Sequence, residues 1–102
     1  MKKSKYDVRL LRTAEDDFTE IVTYIAEENL SAADSIADDI EKALSKLSRH
    51  PFLGRIPDEE ELLKLGYRYL VVKNYLIFYI VESESICLHR IIHGARDYLK
   101  VL

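Results

Sequence analysis

The sequence predicts an α+β fold. A four-stranded antiparallel sheet, in the order strand–helix–helix–strand–strand–strand, carries a helical hairpin on one face and ends in a short helical tail. Three observations predict it: one alternating stretch opens the chain, two apolar stripes of helical spacing follow, and three β-branched and aromatic runs come in quick succession after them. At 102 residues the chain is long enough for one modest core, so 1–102 is expected to be a single domain.

The opening strand is "KYDVRLL", whose alternation places a strand at about Tyr6–Leu11. Thr13 followed by Asp16 has the spacing of an N-cap with an acidic third residue. Behind it Ala14, Phe18, Ile21, Val22, Ile25 and Ala26 recur at helical spacing, giving one amphipathic helix to about Glu28. "ENLS" breaks the pattern, and Ser31 with Asp34 restarts it. Ala33, Ile36, Ala37, Ile40, Leu44 and Leu47 then form a second stripe to about Ser48. Two helices joined by so short a turn form an antiparallel hairpin, and stripes this broad need a sheet to lie on.

"RHPFLGRIP" contains both prolines and a glycine and reads as a loop, with Pro51 ending the second helix. "DEEELLK" has the acids of a helical turn at its start, where the helix dipole favours them. The runs "YRYLVV", "YLIFYIV" and "ICLHRIIH" are separated by "KN" and "ESES", short enough for hairpins. Both alternating sets of the last strand (Ile86, Leu88, Arg90, Ile92 and Cys87, His89, Ile91, His93) are largely apolar, so that strand is expected to be central. The sheet face opposite the helices is expected to stay open, and function is expected there.

Composition narrows the class. No apolar run approaches the roughly 20 residues of a membrane helix, and the basic N-terminus lacks the apolar core of a secretory signal. Cys87 stands alone, which excludes an intramolecular disulfide and a cysteine-based metal site. The expectation is a cytoplasmic protein without metal or cofactor. The net charge of −3 hides a division: residues 13–48 hold ten acids against Lys42 and Lys46, while residues 1–12 hold five bases against Asp7. One face is therefore acidic and another suits an anionic partner, although a dedicated nucleic-acid domain would be basic overall.

The C-terminal "RIIHGARDYLKVL" concentrates the polar chemistry. A guanidinium among aliphatic residues needs an anion, so Arg90 is expected in an ion pair with Asp97 or an acid of the first helix. His93, beside Arg96 and Tyr98, has a side chain suited to general acid–base work; with Arg68 and Arg96 it could supply the base, acid and cations of RNA cleavage. The structural alternative is a histidine that hydrogen-bonds its neighbours. Tyr69, Tyr75 and Tyr79 either line the open face or cap the core, and a cationic face with aromatics suits stacked bases. The pairs Asp16–Asp17 and Asp38–Asp39 read as solvated helix faces. No phosphate loop, HExxH, CxxC or Ser/His/Asp pattern is present.

With these elements in order, "AEDDFTEIVTYIAEEN", "LSRHPFLGRIPDEE", "GYRYLVVKNYLIFYIV" and "LHRIIHGARDY" together resemble the RelE/ParE superfamily of bacterial type II toxins over nearly the whole chain. The resemblance implies a growth-inhibiting toxin neutralised by a cognate antitoxin, as a homodimer or a heterotetramer with it. It implies one of two targets. Ribonuclease members cut mRNA on the ribosome, which would make His93, Arg96 and Arg68 catalytic; ParE-like members poison DNA gyrase. Leu76 stands where the ribonucleases commonly place an arginine, and "LKVL" lacks their terminal aromatic, so the wording is closer to the ParE-like branch. A non-toxic degenerate member is the remaining alternative. Tyr75, Tyr79, Arg90 and Tyr98 are the expected partner-binding residues.

Overall fold

The computed structural model describes residues 5–94, 98 and 102. Its elements run β1 (Asp7–Leu10), α1 (Arg12–Ala26), α2 (Leu30–Arg49), α3 (Glu60–Lys64), β2 (Tyr67–Val72), β3 (Tyr75–Val81) and β4 (Ser85–His93). The order matches the expected one. The expected helical tail lies outside the described residues, apart from a helical turn at Tyr98.

Both helix starts differ from the capping expectation. α1 begins directly after β1, with Leu11 at the N-cap position and no side-chain cap. The Thr13 hydroxyl donates instead to the carbonyl of His89, at 2.8 Å, and so ties α1 to β4. In α2 the cap is Asn29, whose side-chain oxygen accepts from the Ala32 amide at 3.0 Å. The helix thus starts two residues earlier than a Ser31 cap would place it, and Asn29 satisfies the amide three residues on from itself.

The sheet order is β1-β4-β3-β2, so β4 is central, as expected. The sheet is mixed, which corrects the antiparallel expectation: β1 runs parallel to β4, while β2–β3 and β3–β4 are antiparallel. The cause is the helical hairpin: α1 runs on from β1 along β4, and α2 returns to end beside the start of β1, where the Tyr6 amide donates to Ser48, so β2 starts at that same end. Two tight hairpins then return the third strand of the meander to the direction of β1. Lys73, with φ 54°, supplies the left-handed residue that the two-residue turn between β2 and β3 needs.

One bulge reorganises β4. Tyr79 pairs with Leu88 and Phe78 with Arg90, so His89 has no opposite number. Strict alternation would keep Ile86, Leu88, Arg90 and Ile92 on one face. Instead Ile86, Leu88 and Ile91 face the helices, opposite Val81, Tyr79 and Ile77. Arg90 and Ile92 turn to the other face, opposite Phe78 and Leu76. The helix-side core unites Ala14, Ile36, Ile40 and Leu47 with these strand residues.

The far face is not bare. Phe78 and Ile92 are each 1% exposed, covered by Leu62 of α3, Tyr67 and Tyr69 of β2, and Tyr98 and Leu102. The expectation of an open concave sheet is thus corrected. Fully burying a phenylalanine side chain is worth roughly 1.5–3 kcal/mol, which a small domain with two apolar sheet faces recovers by folding α3 and terminal residues over the second one.

Candidate functional site

Asp17 occupies the gap where β1 stops short of β4's end. Its carboxylate accepts from Arg90 Nε at 2.7 Å, from Arg90 Nη2 at 2.9 Å and from the Ile91 amide at 2.9 Å. One aspartate therefore completes an arginine fork and a strand edge that β1 no longer covers. This pair holds the Arg90 guanidinium further above its ordinary range. The expected ion pair to an acid of the first helix is present, and Asp17 is not part of a solvated face. Its neighbour Asp16 is, forming an exposed pair with Arg12 at 3.6 Å.

Arg68 is engaged on the outer strand β2. Its Nη1 donates to the carbonyls of Phe52, at 3.4 Å, and Gly54, at 3.1 Å. The guanidinium lies 5.1 Å from the Phe52 ring centroid, a cation–π contact that points it past β2's outer edge. His93 sits at the tip of β4, exposed, with its ring edge-on to Tyr75 at 5.5 Å between centroids.

The register measures their separation. Arg68 pairs with Tyr79 and His93 with Tyr75, four residues apart along β3 and one strand to either side of it. That is about 13 Å along the sheet and about 10 Å across it. Arg96 lies outside the described residues. Of the three expected catalytic groups, the two described ones are not brought together.

Among the expected binding residues, Tyr79 is 0% exposed, and its hydroxyl accepts from the Gly54 amide at 2.8 Å. It offers a partner no surface, because the chain uses it to anchor the loop before α3. Tyr98 packs its ring on Phe78 and donates its hydroxyl to Glu59, a bond that pushes its pKa up to about 12. Arg90 is committed to Asp17. Tyr75 and His93 share a depression: a groove of about 220 Å³ between α1 and the end of β4, lined also by Asp17, Glu20, Ile21 and Tyr24. Its walls are acidic and aromatic, a setting that repels a phosphodiester and suits a protein side chain.

The residues that sequence reasoning missed lie at the bulge. His89 Nδ1 is 2.9 Å from the Tyr67 hydroxyl, with the two rings edge-on. A one-residue insertion in a ladder leaves no periodic signal, so nothing in the sequence marked this pair. Burial is the main cause that lowers the His89 pKa below its ordinary 6.5. Above pH 6.5 neither the folded nor the unfolded chain protonates it. As pH falls below 6.5 the unfolded chain takes up a proton that the folded chain resists, so stability falls across that window. Urea midpoints at pH 7.5 and 5.5 are expected to differ more in the wild type than in His89→Gln. Equal differences would show that the imidazole stays indifferent to folding.

No group of three or more His, Cys, Asp or Glu among the described residues is placed to hold a metal ion. No helix among them is long and apolar enough to cross a membrane.

The profile described as ParE toxin of type II toxin–antitoxin system, parDE, matches residues 8–98. A search of curated proteins finds no match. Among solved structures, a chain of the chromosomal ParDE toxin–antitoxin system from P. aeruginosa superposes with a TM-score of 0.72 at 18% identity, covering 89% of this chain and 98% of that one. A chain of the RelBE2 toxin–antitoxin complex from Mycobacterium tuberculosis gives a TM-score of 0.61 at 24% identity, over 87% and 98% of the two chains. A conserved hypothetical protein from Helicobacter pylori gives 0.58 at 17% identity, over 89% and 97%. At these identities the structural likenesses speak for the fold.

Proposed function

The chain belongs to the ParE toxin family of type II toxin–antitoxin systems, and from that premise we propose that it arrests growth by binding a protein target, DNA gyrase, without cutting RNA. A cognate antitoxin would hold it inactive until the target is to be reached. The observation that carries this reading is the distance between Arg68 and His93. In-line cleavage of a phosphodiester needs a base and a cation converging on one phosphate within hydrogen-bond reach. Here the register sets the two backbones apart, and Phe52 and Gly54 turn the guanidinium away.

Charge supports the same reading. The chain carries 15 bases against 18 acids, where a nuclease docked on ribosomal RNA would gain from a basic surface. The groove that holds His93 and Tyr75 has Glu20 in its wall, and a protein target can meet it with a cation. Both solved relatives from toxin–antitoxin systems support an antitoxin as the second partner.

Two assays on the purified chain test the reading together. Gyrase supercoiling is expected to stall in its presence while mRNA in a translating extract stays intact. Codon-positioned cuts that vanish in His93→Ala or Arg96→Ala, with gyrase unaffected, would overturn it.

A further inference from the structure

The second helix changes character along its length. Its acids, Asp34, Asp38, Asp39 and Glu41, all precede Lys42, and no further acid occurs in the chain until Asp58. The rest of α2 carries Lys42, Lys46 and Arg49, which recur at i, i+4 and i+7 and so share a stripe roughly 60° wide. That stripe lies opposite the buried Ile36, Ile40 and Leu47, and all three cations are exposed. It stands as a ridge between two grooves. Lys42 and Lys46 border the one toward β2; Arg49 and the exposed Lys5 border the one toward β1. None of these four cations forms a salt bridge with a described residue. Asp39, which lines the first groove, is engaged by Lys73 at 3.6 Å. Complementing the helix dipole explains cations in the last turn, here Lys46 and Arg49. It explains neither Lys42, two turns from the end, nor Lys5, which belongs to no helix.

We propose that this ridge binds the phosphate backbone of duplex DNA. A straight row of cations about 10 Å long offers no convergent pocket for a single anion. It matches a line of charge, and a DNA duplex presents one charge per roughly 1.7 Å of its axis. Single strands are held by stacking on rings as well as by cations, and α2 contains no aromatic residue. It contains no asparagine or glutamine to read an adenine edge either, so the ridge fixes position and not sequence. The choice of DNA over another duplex rests on the gyrase reading above: a protein that engages DNA gyrase meets the DNA that gyrase holds. The groove with Glu20 lies on α1 and the ridge on α2, which gives one chain separate surfaces for the enzyme and for its DNA.

The test is fluorescence anisotropy of a labelled DNA duplex of about 24 base pairs, titrated with the full chain between about 50 and 200 mM salt. Binding is expected with a Kd on the order of 10⁻⁵ M at the lowest salt, and with log K falling against log salt at a slope of about −3. Lys42→Glu, Lys46→Glu and Arg49→Glu combined are expected to weaken it at least about tenfold and to bring the slope close to zero. Glutamine at the same three positions, which removes charge without reversing it, is expected to weaken it about fivefold, so a poorly folded reversal variant does not decide the outcome. Three results would each overturn the proposal: no binding at about 100 µM protein, binding indifferent to these substitutions, or tighter binding of single-stranded DNA, an RNA duplex or polyglutamate. Gyrase stalled by a chain that binds no DNA would overturn it too and leave the gyrase reading intact. DNA binding without any effect on gyrase would overturn that reading and leave the ridge assigned.

Discussion

Asp17→Ala is expected to lower the stability of the fold by about 3 kcal/mol, seen as a lower urea midpoint and a melting temperature reduced by roughly 15 °C. Three donors converge on this carboxylate, two from Arg90 and one from the Ile91 backbone. The side chains of the pair are only 20% and 12% exposed, so water replaces little of what is lost. The cost comes chiefly from what remains: a largely buried guanidinium that has lost its Asp17 fork, and a strand amide that has lost its acceptor. The double variant Asp17→Leu with Arg90→Met separates the two contributions. It is expected to recover most of the loss, since apolar residues replace an ion pair well, but not the share due to the Ile91 amide. A change below about 0.5 kcal/mol in Asp17→Ala would mean that the carboxylate is solvated and the clamp is not structural.

Gly54→Ala is the second large effect, expected at about 2–3 kcal/mol by the same measurement. A methyl at this position would lie 2.5 Å from the Tyr79 hydroxyl oxygen, 2.8 Å from Tyr79 Cε1 and 2.9 Å from the Tyr69 carbonyl oxygen. None of these can yield cheaply. Tyr79 is wholly buried, its hydroxyl bonded to the Gly54 amide, and Tyr69 is held by its ladder to Arg55. Combining it with Tyr79→Phe removes the closest contact and leaves those to the ring Cε1 and to the Tyr69 carbonyl, so relief is expected to be partial. Full tolerance of the alanine would place the loop elsewhere than against Tyr79.

The parts of this fold that were legible in the sequence are those set by local periodicity. The stripes from Ala14 to Ala26 and from Ala33 to Leu47 marked both helices, and the "KN" turn marked the first hairpin, because side-chain period and turn chemistry are local properties. What was not legible depends on how distant segments meet. The direction of β1 relative to β4 is decided by where the helical hairpin returns the chain, with Ser48 beside Tyr6, a contact between distant segments that carries no periodic signal. The bulge at His89 falls where the ladder shifts between Phe78 and Tyr79, and it reversed the facing of Arg90 and Ile92. Thr13 looked like a cap and became a tie to β4. The candidate site fared accordingly: charge burial gave Arg90 an ion pair, with Asp97 or an acid of the first helix as its partner, and the structure shows Asp17. The grouping of Arg68 with His93 needed a register that the strands do not adopt.

The central claim is that these two side chains act apart, and a double-mutant cycle tests it most directly. Growth inhibition is measured for folded Arg68→Ala, His93→Ala and the double variant at matched protein levels. Independent, additive changes are expected, with coupling within about twofold. If either single variant abolished inhibition and the second added nothing, the two would be sharing one catalytic step, and the protein-directed account would be contradicted.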